Sequence, residues 1–197
     1  MVKVKLTKTE LKAQTDALKR YQRFLPMLQL KKQQLQGEIA GIAAKAEATA
    51  EKERKVRENL SRWVGLFATE EALVSGLVKV HSVNTGTANV AGVTIPTFES
   101  INTEVKSVDP WATPAWVDDA VSTTADILSL QCERAVYEEQ VRLITIELQQ
   151  TSQRVNLFEK VKIPECKEAI RIIKIALGDE QTAAVTRGKI AKGRDKS

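Results

Sequence analysis

The chain has 197 residues, of which 5% are aromatic and 28% charged, so it is one ordinary domain or one elongated one, short of the aromatic bulk that a compact globule of this length buries. Leu, Ala, Glu, Lys, Gln and Arg are prominent, and these residues favour long helices and coiled coil. The net charge of +5 is unevenly spread: residues 1–36 hold nine Lys/Arg against two acids and residues 186–197 five against one, while residues 118–160 hold four against eight. Basic ends and an acidic middle predict partners of different character at two places. No apolar run reaches the roughly 18 residues needed to span a bilayer. The opening MVKVKLTKTE lacks an apolar signal region. A cytoplasmic chain with no membrane insertion is expected, and its two cysteines, Cys132 and Cys166, read as free thiols.

The first helix starts at a capping-box pattern, Thr7-Lys8-Thr9-Glu10, with Thr7 as N-cap and Glu10 reaching back. From there two rows repeat every seven residues. One is Leu11, Leu18, Leu25, Lys32, Ile39, Ala46, Glu53, Leu60 and Phe67; the other is Gln14, Tyr21, Leu28, Leu35, Ile42, Thr49, Val56 and Trp63. Only Lys32, Glu53, Gln14 and Thr49 are not apolar or aromatic, which predicts a coiled-coil helix over 8–66. Within it, GEIAGIAAKAEATA places Gly37, Gly41 and Ala44 among many alanines, and we read them as a seam where a second backbone approaches closely.

A middle region, 67–112, breaks the helical period. GLVKVHSV and NVAGVTIPTF are β-branched and flank NTGTA, which predicts a β-hairpin at about 76–98 with a bulge at Gly92. A lone hairpin is marginal in water and must lean on a helix or a partner. The second helix is expected over 113–185, with Thr113 as N-cap, Pro114 in the first turn, and Asp118 and Asp119 complementing the helix dipole. Its apolar stripe (Val121, Leu128, Ala135, Val141, Ile144, Leu148, Val155, Phe158) slips after Phe158, since Cys166, Ile170, Ile173 and Leu177 follow a different set of sevens. Pro164 lies in the slip. Residues 186–197 read as a frayed basic tail. The predicted fold class is mainly α, a single elongated domain in which N- and C-terminal helices form a long antiparallel two-helix coiled coil, with the hairpin in the middle. This pairing sets Pro26 opposite Pro164, two candidate kinks in one shaft, and gathers Lys5, Lys8, Lys12, Arg171, Lys174, Arg187 and Lys189 at one basic tip.

Catalytic constellations are not found. The single histidine, His81, leaves no pair for a metal ion, and no glycine-rich loop precedes a Lys-Ser/Thr, so neither metal nor nucleotide cofactor is expected. Trp63 and Phe67 fall in the seam, and Trp111 and Trp116 are open to packing or to a partner.

Three short patterns occur in order: LTKTEL (6–11), NVAGVTIPTFE (89–99) and RVNLFEKVKIP (154–164). Together they resemble the D subunit, the central rotor stalk, of the V-type and archaeal A-type rotary ATPases, in which Thr-x-x-Glu-Leu, Gly-Val-x-x-Pro and Arg-Val-Asn-x-x-Glu-x-x-x-Ile-Pro recur. The resemblance implies a non-catalytic central rotor shaft, peripheral to the membrane. Its basic tip would enter an A/B catalytic hexamer, and its middle would meet a small rotor partner subunit and the socket subunit of the membrane ring. It would couple ATP hydrolysis or synthesis to ring rotation and to H+ or Na+ transport. Two other readings remain: a prefoldin-like coiled-coil holdase, which also joins two helices through hairpins, and a nucleic-acid-binding coiled coil, suggested by a pI of about 9.2.

Overall fold

A computed structural model describes residues 4–61, 78–105 and 116–194. Their order is helix α1 (Lys8–Ser61), strands β1 (Val78–Val90) and β2 (Val93–Val105), helix α2 (Trp116–Leu157), a π-helical turn (Phe158–Lys162) and helix α3 (Ile163–Arg194). The architecture is mainly α, as expected. Trp63, Phe67, Trp111, Thr113 and Pro114 lie outside the described residues. Among the described residues no helix is long and apolar enough to cross a membrane.

Helix α1 begins at the expected cap: the Glu10 N–H donates to the Thr7 hydroxyl at 3.2 Å. The reciprocal half of the box is not made, because the Glu10 carboxylate instead accepts from Gln14 Nε2 at 2.8 Å. The two seven-residue rows are confirmed along the whole described helix. Every row position from Leu11 to Leu60 is buried or half-buried. The small-residue seam is corrected. Gly37, Gly41 and Ala44 are exposed, and a Cβ added at either glycine would meet nothing within 4 Å. None of them belongs to the rows that hold Leu35, Ile39 and Ile42, and the helical period turns them away from the partner helix.

The chain divides into two compact units, a middle unit of residues 33–148 and an end unit of residues 1–32 and 149–197. In the middle unit α1 and α2 run antiparallel. Leu35 and Ile42 share a buried cluster with Ile144, whereas Glu53, further along α1, meets Gln131 and Arg134, earlier on α2. The hairpin covers this cluster. Ile95 is buried within it, and Ala88, Val90, Ala91 and Val93 pack against it together with Tyr137, Val141 and Leu148. Gln140, itself buried, donates its Nε2 hydrogen to the Pro96 carbonyl. The hairpin thus leans on the helices, which supply the support a lone ribbon lacks.

The turn of the hairpin differs from expectation. NTGTA is strand, and the reversal is Ala91-Gly92, with φ of 50° and 85° and Val90 paired to Val93. Two left-handed residues in a two-residue loop match the twist of the flanking strands, and the Gly92 N–H is held by Asn89 Oδ1 at 3.0 Å. The pairing skips at His81 on β1 and at Glu99 on β2, so the bulges lie there and not at Gly92. The hairpin therefore extends to Val105, seven residues past the expected end.

The second helix also outruns expectation. It continues from Trp116 to Arg194 through the π turn, so residues 186–194 are helical where a frayed tail was expected. Gly178 does not stop it; with open space around its Cα, glycine here costs only propensity.

Candidate functional site

The end unit carries the basic candidates. Lys5, Lys8, Lys12, Arg171, Lys174, Arg187 and Lys189 are all exposed. Arg171 is engaged: its Nε and Nη2 donate to the two carboxylate oxygens of Glu168 at 2.8 and 2.6 Å, a forked pair one helical turn apart that holds the Glu168 carboxyl below its ordinary range. The other six form no ion pair with any described residue, so their charge is available to a partner.

From Gly178 to Lys192 every residue of α3 is exposed. Fifteen consecutive exposed residues occupy all sides of about four turns. Over this length α3 is a single helix without a neighbour among the described residues, and it carries Arg187, Lys189 and Lys192. Val185 and Ile190 stand on it uncovered. Nearer the start of the unit, α1 exposes Phe24, Met27 and Leu30 at 48, 61 and 56%, a run of large apolar side chains at helical spacing.

The two prolines do not face each other. Tyr21 and Phe158 mark one level of the helix pair, with ring centroids 5.0 Å apart and planes 51° from parallel. Counting away from that level in opposite directions, Pro26 and Pro164 lie about 16 Å apart along the axis. Helix α1 stays α-helical through Pro26. At Pro164 the slip in the sequence has a concrete form: the Ile163 N–H reaches five residues back to the Phe158 carbonyl, making a π turn. Phe158 and Cys166 are eight residues apart, one more than a heptad, and the π turn absorbs the extra residue. Val155, Cys166 and Ile173 are consequently all buried on either side of it.

In the middle unit, one polar group occupies the seam. The Glu53 carboxylate is buried and accepts from Arg57 Nε and Nη2 at 2.9 and 2.8 Å, from Gln131 Nε2 at 3.0 Å and from Arg134 Nη1 at 3.2 Å. The hydrogen bonds from Arg57 and Gln131 hold its carboxyl below the usual range against the opposing pull of burial. Sequence counting met Glu53 only as a break in the row; a charge amid apolar row positions was the available signal. Beside it lies a groove of about 410 Å3, floored by Ala43, Ala46, Ala50 and Val141 and rimmed by Glu47, Arg134 and Glu138. Here the alanine-rich stretch leaves an open channel.

Comparison with known proteins shows what the sequence is similar to. The sequence matches the family of the ATP synthase D subunit over residues 10–193. It is 45% identical to the V-type ATP synthase D subunit of Borreliella burgdorferi over 192 residues, covering 98% of this chain and 95% of that one. It is 31% identical to the V-type ATP synthase D subunit of Chlamydia felis over 191 residues, covering 96% of this chain and 92% of that one, and 32% identical to that of Chlamydia abortus over 192 residues, with the same coverage of both chains.

Proposed function

The chain belongs to the ATP synthase D-subunit family, and from that premise we propose that it is the central rotor stalk of a V-type or A-type complex, without an active site of its own. In this role it couples ATP hydrolysis or synthesis in an A/B catalytic hexamer to rotation of a membrane ring and to H+ or Na+ transport. It acts on the cytoplasmic side, attached to the membrane only through the complex. Family membership favours this reading over the prefoldin-like holdase and the nucleic-acid binder.

One observation carries the proposal: residues 178–192 form a helix exposed on every side, in the unit where the six candidate cations other than Arg171 have no ionic partner among the described residues. A helix that buries nothing of its own contributes little to folding, and its cost is offset if a surrounding partner covers it. Lys5, Lys8, Lys12, Lys174, Arg187 and Lys189 are the head contacts in this proposal, with Arg171 available only if Glu168 releases it. Exposed charge pairs are individually weak and screened by salt, a property suited to contacts that are made and broken as a rotor turns. The middle unit, with its groove and the open edges of a two-stranded hairpin, is proposed to meet the small rotor partner subunit and the socket subunit of the ring.

Mixing the chain with purified A/B hexamer tests this. A one-to-one complex that raises ATP turnover is expected at low and moderate salt, and failure to associate under both conditions overturns it. Reversing Lys174, Arg187 and Lys189 to Glu is expected to weaken the complex about tenfold or more.

A further inference from the structure

The π turn is a weak length of the described helix that runs from Trp116 to Arg194, and its weakness has three separate causes. The Ile163 N–H is spent on Phe158, so the Glu159 carbonyl loses its usual α-helical donor. Pro164 has no N–H, so the Lys160 carbonyl loses the next one. Glu159 and Lys160 are both exposed, which lets water take these carbonyls. Finally, side-chain burial lapses: no residue of 158–162 is buried, and between Val155 and Cys166 the seam has no fully buried side chain on this helix. One ion pair, Lys162 Nζ to Glu165 at 3.1 Å, bridges the proline, but it is exposed and therefore weak.

The extra residue and the proline have different effects. The eight-residue spacing from Phe158 to Cys166 requires a one-residue excess somewhere between them. A π bulge can in principle sit at any turn of that interval. Pro164 fixes it in the turn before itself, because there the missing N–H and the ring's clash with the carbonyl four residues back are both accommodated. Pro26 breaks one rung of α1, but about 16 Å away along the axis. Each helix is thus intact beside the other's defect. Two defects at one level would make a hinge; staggered defects leave the pair resistant to bending and softer in twist.

We infer that the π turn at Phe158–Lys162, pinned by Pro164, is the torsional give of this helix, the place where residues 163–194 twist against the length that precedes them. Its use in coupling rests on the rotor reading; the give itself does not. In a rotor, such an element lets the end inside a three-site head pause while the other end keeps turning.

Two measurements on the full chain test it. In amide hydrogen exchange, residues 159–165 are expected to exchange about tenfold or more faster than residues 145–155. Deleting Lys160 together with Pro164→Ala removes the excess residue and the proline, restores seven-residue spacing, and is expected to leave the melting temperature unchanged or raised while protection across 159–165 rises to the level of its flanks. Deleting Gln153 instead, in intact α-helix, is expected to lower the melting temperature. Uniform protection across 145–175 in the unaltered chain, or loss of folding on deleting Lys160 with Pro164→Ala, overturns the inference. In a complex with the A/B hexamer the straightened chain is expected to assemble normally and to turn over several-fold more slowly; unaltered turnover overturns the role in coupling. If the exchange pattern holds and neither chain binds the hexamer, the rotor reading fails and the give stands.

Discussion

Ile144 is wholly buried in the middle unit, whereas Phe24, Met27 and Leu30, in the end unit, stand about half exposed. Both units hold the same kind of paired helices with the same seven-residue rows. What differs is a third element. The hairpin places Ile95 and its neighbours over Leu35, Ile42 and Ile144 and closes a small core. In the end unit the described part of α1 has no fully buried residue. Two helices alone leave the α1 side of the seam half-buried, although Thr151 and Ile173 on the facing length are fully covered; a third layer is needed to remove the α1 side from water. The middle is therefore where stability concentrates, and the end is where surface is left for others.

The largest test of this contrast is truncation of matched side chains. Ile144→Ala, which empties a covered site, is expected to cost about 3–4 kcal/mol, and Leu18→Ala, in a half-buried row position, about 1–2 kcal/mol. Urea unfolding monitored by circular dichroism measures both; equal losses would erase the distinction. Next is Glu53. Its carboxyl is held below its ordinary value of 4.5, so its contribution is full above that pH and is lost as pH falls through the lower folded value. Glu53→Gln is therefore expected to destabilise by about 1–3 kcal/mol at pH 7, with the gap from the unaltered chain closing below about pH 4.5. A gap that does not change between about pH 7 and about pH 3 contradicts the ionised network. Thr151, fully buried in the end unit, has a hydroxyl without a hydrogen-bond partner among the described residues. Thr151→Val is expected to raise stability by about 1 kcal/mol, read as a higher urea midpoint with an unchanged slope. The smallest effects belong to Gly37→Ala and Gly41→Ala. With open space at both positions, each is expected to stabilise by about 0.5–1 kcal/mol. If either instead lowers the melting temperature, close packing at these glycines is restored as the explanation.

Much of this was legible in the sequence. The two rows on α1 were readable because a heptad pattern repeats often enough to outvote its exceptions, and the slip after Phe158 marked the π turn before its geometry was known. The same rows, read strictly, already excluded Gly37 and Gly41 from the seam, since neither position belongs to them. The hairpin's existence was readable, but its turn was not. NTGTA has more turn-forming residues than Ala91-Gly92, yet placing the reversal at 91–92 lets Val90, Val93 and Ile95 reach the helices, and that packing outweighs the cost of a left-handed alanine. The basic end was legible as composition. That Glu168 would capture Arg171 was also present in their three-residue spacing, whereas the bare helix from 178 to 192 depends on where α1 begins, which no local pattern in α3 reports.

That bare helix supports the most direct test of the account. Removing residues 178–197 takes away nothing that is buried among the described residues, so the truncated chain is expected to melt within a few degrees of the full chain. Its affinity for the A/B hexamer, measured by titration at moderate salt, is expected to fall by about two orders of magnitude or more. A truncated chain that binds the hexamer as tightly as the full one would contradict the claim that this end of the molecule is the part the catalytic head encloses.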